Sequence, residues 1–286
     1  MSLKVVKNCD REKKHGCNVS NIVCHGDLVV TGSDDGKIKI WKSDLELLSE
    51  MEAPAGILSM TTSENLLYTC TTDESIRSWD LGTGKSSGTF TSSLYQPQKL
   101  FMDPSTKVLW AGDSQGNVAK FEGGKQTGKF ELVEEIWDLM VYGNTVYTAR
   151  DRDVVVAEVV YGAHVPRVTI KATLQGRSPF CIAGNHFCFL NREGRNINVH
   201  ENKMAEKFPL SKEIVASELI INALTSSGDN VVYSGGYDST VKKWDLKSSN
   251  CLGSVNLGCC INALASKSEN EVYVARSDGI VTKIGG

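Results

Sequence analysis

Apolar and polar positions along this chain fall into short runs that come in pairs. Leu28 to Thr31 is apolar and leads into a Gly-Ser-Asp-Asp-Gly stretch. Lys37-Ile38-Lys39-Ile40-Trp41 then alternates with the period of two expected of a half-buried strand. Two such runs flanking a small-residue turn predict a β-hairpin. The pattern recurs seven times, with hairpins ending near Trp41, Trp79, Phe121, Val159, His200, Trp244 and Ile284. Their spacing of roughly forty residues is that of an array of small β units. Copies six and seven also agree upstream of the hairpin, IINALTSSGDNVVYSGG against CINALASKSENEVYVAR. Each repeat reads as four strands: an apolar strand a, strands b and c around the turn, and a more polar outer strand d. Helical periodicity is nearly absent, so the expectation is an all-β fold in one domain over residues 1–286.

The segments GSDDGKIKIW, SIRSWD and STVKKWD, recurring at this spacing, resemble the WD-repeat (WD40) β-propellers. The resemblance runs over essentially the whole chain and is strongest in repeats one, two and six. It implies a seven-bladed β-propeller of four-stranded antiparallel blades, each burying its faces against its neighbours. The last repeat ends at Gly286, directly after its strand c. Residues 3–9 are therefore expected to supply the outer strand of blade seven and close the ring, hiding an open edge. The family also links a turn aspartate to a histidine, a strand-b Ser or Thr and the tryptophan. Thr31, Thr69 and Ser234 match the strand-b position, whereas the family's Gly-His pair has no clear match in most repeats.

Charge and cysteine content narrow the possible partners. A formal net charge of −3 over 286 residues gives no basic field for nucleic acid. No apolar run is long enough for a membrane helix, and the N-terminal residues lack the apolar core of a signal peptide. Nine cysteines at irregular spacing, mostly inside apolar strands, suit a reducing compartment. The expected location is the cytoplasm, with the nucleus as a second option.

Candidate chemistry is sparse. Asp35, Asp73, Asp238 and Asp278 each stand six residues before the last residue of their hairpin, one per blade. Being spread over different blades they read as turn pins, each accepting from nearby backbone N–H groups. Repeats with Gln115 or Gly194 at that position are expected to rely on packing. Gly84-Lys85-Ser86 resembles a phosphate loop, but Trp79 stands where the first glycine belongs and no helix follows. It reads as the turn between strands c and d of blade two. Cys181, His186 and Cys188 match no zinc spacing, and Cys259-Cys260 are adjacent and divergent. With no serine nucleophile motif and scattered histidines, the chain reads as a non-enzyme without metal or cofactor.

What remains is surface. The start of strand a and the turn residue before the aspartate point to one rim, the top in the propeller family. Trp137, Phe180 and Tyr237 are large aromatics placed there, with Asn222 and Asn262 beside them. Aromatics on a rim suit a binding hot spot. Arg150, Arg192 and Arg276 read as occupying one shared place in their repeats, where they could clamp a phosphate or pair with neighbouring carboxylates. The leading expectation is a scaffold binding a peptide or protein loop, monomeric within a larger complex. The alternative is a phosphopeptide reader using the three arginines, and a propeller enzyme is a distant third.

Overall fold

The computed structural model describes residues 3–132, 134–162 and 166–286. Its strands form seven four-stranded antiparallel sheets, the blades of a seven-bladed β-propeller. They fall in two compact units, Met1–Glu52 with Gly176–Gly286, and Ala53–Gln175.

The first unit holds four blades. Blade one is Val19–His25, Leu28–Ser33, Lys37–Lys42 and Leu47–Glu52. Blade five is Arg177–Ala183, His186–Leu190, Asn196–Glu201 and Leu210–Val215. Blade six is Ile221–Ser227, Val231–Gly236, Thr240–Asp245 and Cys251–Asn256. Blade seven is Ile261–Ser268, Glu271–Arg276 and Val281–Gly285, completed by the N-terminal strand Lys4–Asn8. Lys4 pairs with Gly285 and Asn8 with Thr282, so the ring closes by main-chain hydrogen bonds. Cys9 continues the seam: its N–H donates to the Val281 carbonyl at 2.9 Å.

Burial explains why strand b is so apolar. In blade six every residue of Val231–Gly236 is buried, so the strand needs apolar or small residues on both faces. The outer strands Lys4–Asn8 and Cys251–Asn256 have no buried residue. The core of this unit lies between blades: Trp244 and Val232 of blade six pack with Cys188, Ile197 and Val199 of blade five. Trp41 and Val29 of blade one pack with Tyr273 and Ala275 of blade seven.

The second unit holds three blades. Blade two is Ile57–Ser63, Leu66–Thr71, Ile76–Asp80 and Lys85–Phe90. Blade three is Pro97–Met102, Leu109–Asp113, Asn117–Glu122 and Lys125–Glu131. Blade four is Asp138–Tyr142, Thr145–Ala149, Asp153–Val160 and Arg167–Gln175. Its cores have the same inter-blade character, Cys70 and Ile76 against Leu100 and Phe121, and Trp110 and Val118 against Ile136 and Leu139. The phosphate-loop-like segment is the turn between strands c and d of blade two, where Asp80 accepts from the Thr83 N–H at 2.7 Å.

The b–c turns show which residues are equivalent. In six blades an N–H three residues on donates back to the carbonyl at the end of strand b or, in blade five, just after it: Gly36 to Ser33, Glu74 to Thr71, Gly116 to Asp113, Gly194 to Asn191, Ser239 to Gly236 and Gly279 to Arg276. The donor residue has positive φ in every case, from +61° at Ser239 to +86° at Gly116. Gly194 therefore holds the glycine position of its turn, and Glu193 the aspartate position. Nor do blades three and five rely on packing alone. Asp113 accepts from the N–H groups of Gln115 and Asn117 at 2.9 and 2.8 Å, and Asn191 from that of Arg195 at 3.1 Å. The pin has moved two residues upstream, to the end of strand b.

The turn aspartates make the contacts their geometry allows. Asp35 accepts from Lys37 N–H at 3.1 Å and from the Ser33 hydroxyl. Asp238 accepts from Thr240 N–H at 3.0 Å, and Asp278 from Ile280 N–H at 3.1 Å. Asp73 is gripped by Arg77, which together with nearby hydroxyls holds its carboxyl far below the usual range. Each strand-c tryptophan then donates to its strand-b hydroxyl: Trp41 to Thr31 at 2.8 Å, Trp79 to Thr69 at 3.0 Å, Trp244 to Ser234 at 2.9 Å. In blade one a histidine joins. His15 Nε2 lies 2.7 Å from Thr31 Oγ1 and the side chain is fully buried. The sequence reads His15-Gly16 rather than Gly-His, which hid it from motif matching.

Candidate functional site

The hydrogen-bond register of strand a decides which side chains are re-aimed. One residue is skipped near its start in five blades: Ser20, Leu58, Gln98, Asn222 and Asn262. A bulge of this kind bends the strand and turns one side chain out of the pleat. In blade five the bulge spans Ser178 and Pro179. In blade four Trp137 directly precedes strand a and donates its N–H to the Ala149 carbonyl at 2.8 Å.

Phe180 does not reach the surface. It is back in register opposite Phe189, only 5% exposed, with its ring edge-on to Phe187 at 5.6 Å. The two-residue bulge puts Ser178 and Pro179 where the single-residue pattern placed Phe180. The expectation of a rim aromatic there is corrected.

In the first unit the re-aimed residues turn into neighbouring backbone. Asn262 donates to Asn18 Oδ1 at 2.6 Å and to the Val19 carbonyl at 2.9 Å, tying blade seven to blade one. Asn222 donates to Cys260 Sγ at 3.2 Å and the Ile261 carbonyl at 3.4 Å, tying blade six to blade seven. Tyr237 is 58% exposed in its turn and is flanked by the exposed Leu219 and Ile220. Its N–H donates to the Ile220 carbonyl at 3.0 Å, which fixes the turn against the start of strand a.

In the second unit the equivalent residues surround open space. Leu58, Gln98 and Trp137 line a hollow of about 490 Å³ with Thr71, Thr72, Glu74 and Gln96. Leu58 is 41% exposed and Trp137 half-buried. The Thr72 N–H donates to the Gly56 carbonyl at 2.9 Å, which fixes the blade-two turn against the start of its own strand a. Gln98 is held by Glu135, Nε2 to Oε1 2.7 Å. Sequence reasoning placed Trp137 on the rim but had no signal for Glu74, Gln96 or Gln98. The hollow depends on register and on backbone angle, neither of which residue type encodes.

The three arginines do not form a matched set. By strand register Arg150 and Arg276 are equivalent, each following the last strand-b residue that pairs with strand c. Asn191 holds that position in blade five, so Arg192 falls one residue further on. Arg276 is nearly buried, bound to Asp278 at 2.6 Å, Thr282 at 3.2 Å and Cys259 at 3.1 Å. Arg150 pairs with Glu134 at 2.8 Å and Asp153 at 3.4 Å. Both guanidinium groups thus have carboxylate partners from their own surroundings. Among the described residues no three His, Cys, Asp or Glu side chains are placed to share a metal ion. Cys24 and Cys70 have thiols pushed up to about 12 by burial, which leaves them protonated and unreactive.

Comparison with known proteins is consistent with this geometry. The family model described as WD domain, G-beta repeat matches residues 8–42 and 212–245. The chain is similar to the periodic tryptophan protein 2 homolog of Dictyostelium discoideum, 29% identical over 111 residues. That match covers 36% of this chain and 12% of the relative's length. Among solved structures, the crystal structure of the WD40 β-propeller domain of Doa1 superposes with a TM-score of 0.82 at 17% identity. It covers 99% of this chain and 97% of that one, a likeness of fold.

Proposed function

We propose that this seven-bladed β-propeller, matched by the WD-repeat model over residues 8–42 and 212–245, binds a peptide or protein loop without catalysing a reaction. The observation that carries this reading is the hollow lined by Leu58, Gln98 and Trp137. Its volume lies within the roughly 300–1,000 Å³ of ordinary ligand pockets. A half-exposed indole beside an exposed leucine can desolvate one incoming side chain, and the polar residues around it can orient the chain that carries it. The rigid blades hold the geometry, so little conformational entropy is lost on binding.

A double truncation, Leu58→Ala with Trp137→Ala, tests the assignment. Wild-type protein and variant are used as baits in quantitative affinity capture from the native cell. Partners held by the wild type and lost by an equally well-folded variant support the reading. Identical partner sets for both proteins overturn it for this hollow.

A further inference from the structure

We propose that the hollow in the second unit takes a cationic side chain, a lysine or arginine of a bound peptide, and that Glu74 is the residue selecting it. This rests on the docking role proposed above and goes further by naming the chemistry of the occupant.

Three observations converge on Glu74. First, it is the only ionisable residue among the seven that line the hollow; the others are leucine, tryptophan, two threonines and two glutamines. Arg77, which donates to the Thr71 hydroxyl at 3.0 Å, is paired with Asp73, so Glu74 gives the lining an unpaired negative charge complementary to positive charge. Second, the carboxylate is exposed and uncommitted. It makes no ion pair or side-chain hydrogen bond with any described residue, whereas Asp73 beside it is held by Arg77 at 2.7 Å.

Third, the backbone at Glu74 is held where a side chain is disfavoured. It occupies the left-handed turn position, at φ +67°. Four of the five equivalent residues are glycines: Gly36, Gly116, Gly194 and Gly279, at φ from +73° to +86°. The fifth is Ser239 at +61°. Glycine adopts this conformation at no steric cost, and a glutamate does not. Gln96, another lining residue, is also left-handed at φ +49°. Residues held in disfavoured conformations cluster at functional sites, and here two of the seven lining residues are so held. Trp137 lines the same hollow, and an indole there suits the charge and the methylene stem of lysine or arginine.

The test separates recognition from folding. Pools of immobilised peptides, each random except for one fixed central Arg, Lys, Leu, Phe or Glu, are probed with the full chain, with Glu74→Gln, with Glu74→Gly and with Trp137→Ala. The proposal expects the Arg and Lys pools to retain the wild-type protein about tenfold better than the Leu and Glu pools, a margin that Glu74→Gln removes. Salt near 1 M, where the screening length is about 3 Å, should weaken the retained binding. Glu74→Gly should lose the same margin while melting about 2 °C higher, because it releases the left-handed strain. Preference for the Leu or Phe pools, unchanged in both Glu74 variants, overturns the cationic occupant and leaves the docking role standing. Failure of every pool to retain the wild type overturns the docking role and this proposal together.

Discussion

Asn262 and Trp137 stand at corresponding places in their blades and do opposite things. Asn262 lies half-buried and ties its blade to the next through Asn18 and the Val19 carbonyl. Trp137 faces a hollow it shares with Leu58 and Glu74. The difference extends to the units that hold them. The first unit uses its re-aimed residues as blade-to-blade ties and contains a three-member buried network, His15, Thr31 and Trp41. The second presents leucine, glutamine and tryptophan to open space. One repeat architecture thus gives a region whose re-aimed asparagines tie blade to blade and a region whose corresponding residues line a hollow. The scaffold position is the same, and the side chain it carries, with the local register and backbone angle, sets the outcome.

The largest effects test the internally satisfied region. Trp41 is fully buried, so Trp41→Ala should cost about 3–5 kcal/mol by cavity formation and lost burial. It also leaves the Thr31 hydroxyl without its indole donor. Trp79→Ala removes a tryptophan from the same place in the second unit, where no histidine among the described residues backs the hydroxyl of Thr69. Chemical denaturation of the two variants should therefore show the larger loss for Trp41. Equal losses would mean that His15 adds nothing to the network.

A mid-sized effect comes from pH. Burial, with Lys39 adding, pulls the pKa of His15 down to about 4 from its ordinary value near 6.5. A depressed pKa means that the unfolded chain binds the proton more readily. The His15 contribution is complete above about pH 6.5 and is lost as pH falls toward 4, a loss of about 2 kcal/mol at pH 5. His200 is displaced in the same direction by burial, so the whole protein should lose stability over this range. The measurement is the difference in unfolding free energy between pH 7 and pH 5, for the wild type and for His15→Gln. The variant should show a clearly shallower fall; the same fall in both would place the sensitivity elsewhere.

These residues also mark what could be read from the chain alone. The seven hairpins were legible because alternation and turn residues recur in a fixed order, closed by a tryptophan in three of them, as in Lys37 to Trp41. The closing strand Lys4–Asn8 was legible because blade seven ran out of sequence before its fourth strand. His15 was not, because the network accepts a histidine from a His-Gly order that no motif describes. Phe180 misled because one extra residue in a bulge shifts every later side chain to the other face. Arg192 misled for a similar reason: turn hydrogen bonds, not residue type, fix equivalence in repeat five. Glu74 carries no residue-level signal, since its oddity is a φ angle at a place where its sister blades have glycine.

The smallest effect sharpens the comparison most directly. Asn262→Ala removes two hydrogen bonds across the blade seven to blade one seam and should cost about 1–2 kcal/mol. Leu58→Ala, at the matching bulge of blade two, removes an exposed side chain and should change stability by less than about 0.5 kcal/mol. The ordering should invert for partner binding. Asn262→Ala leaves the hollow untouched, whereas Leu58→Ala trims one of its walls. Both variants can be followed by denaturant midpoint and by retention on the Arg peptide pool. A Leu58 variant that loses stability but keeps binding would show that this bulge, too, serves the blades rather than a partner.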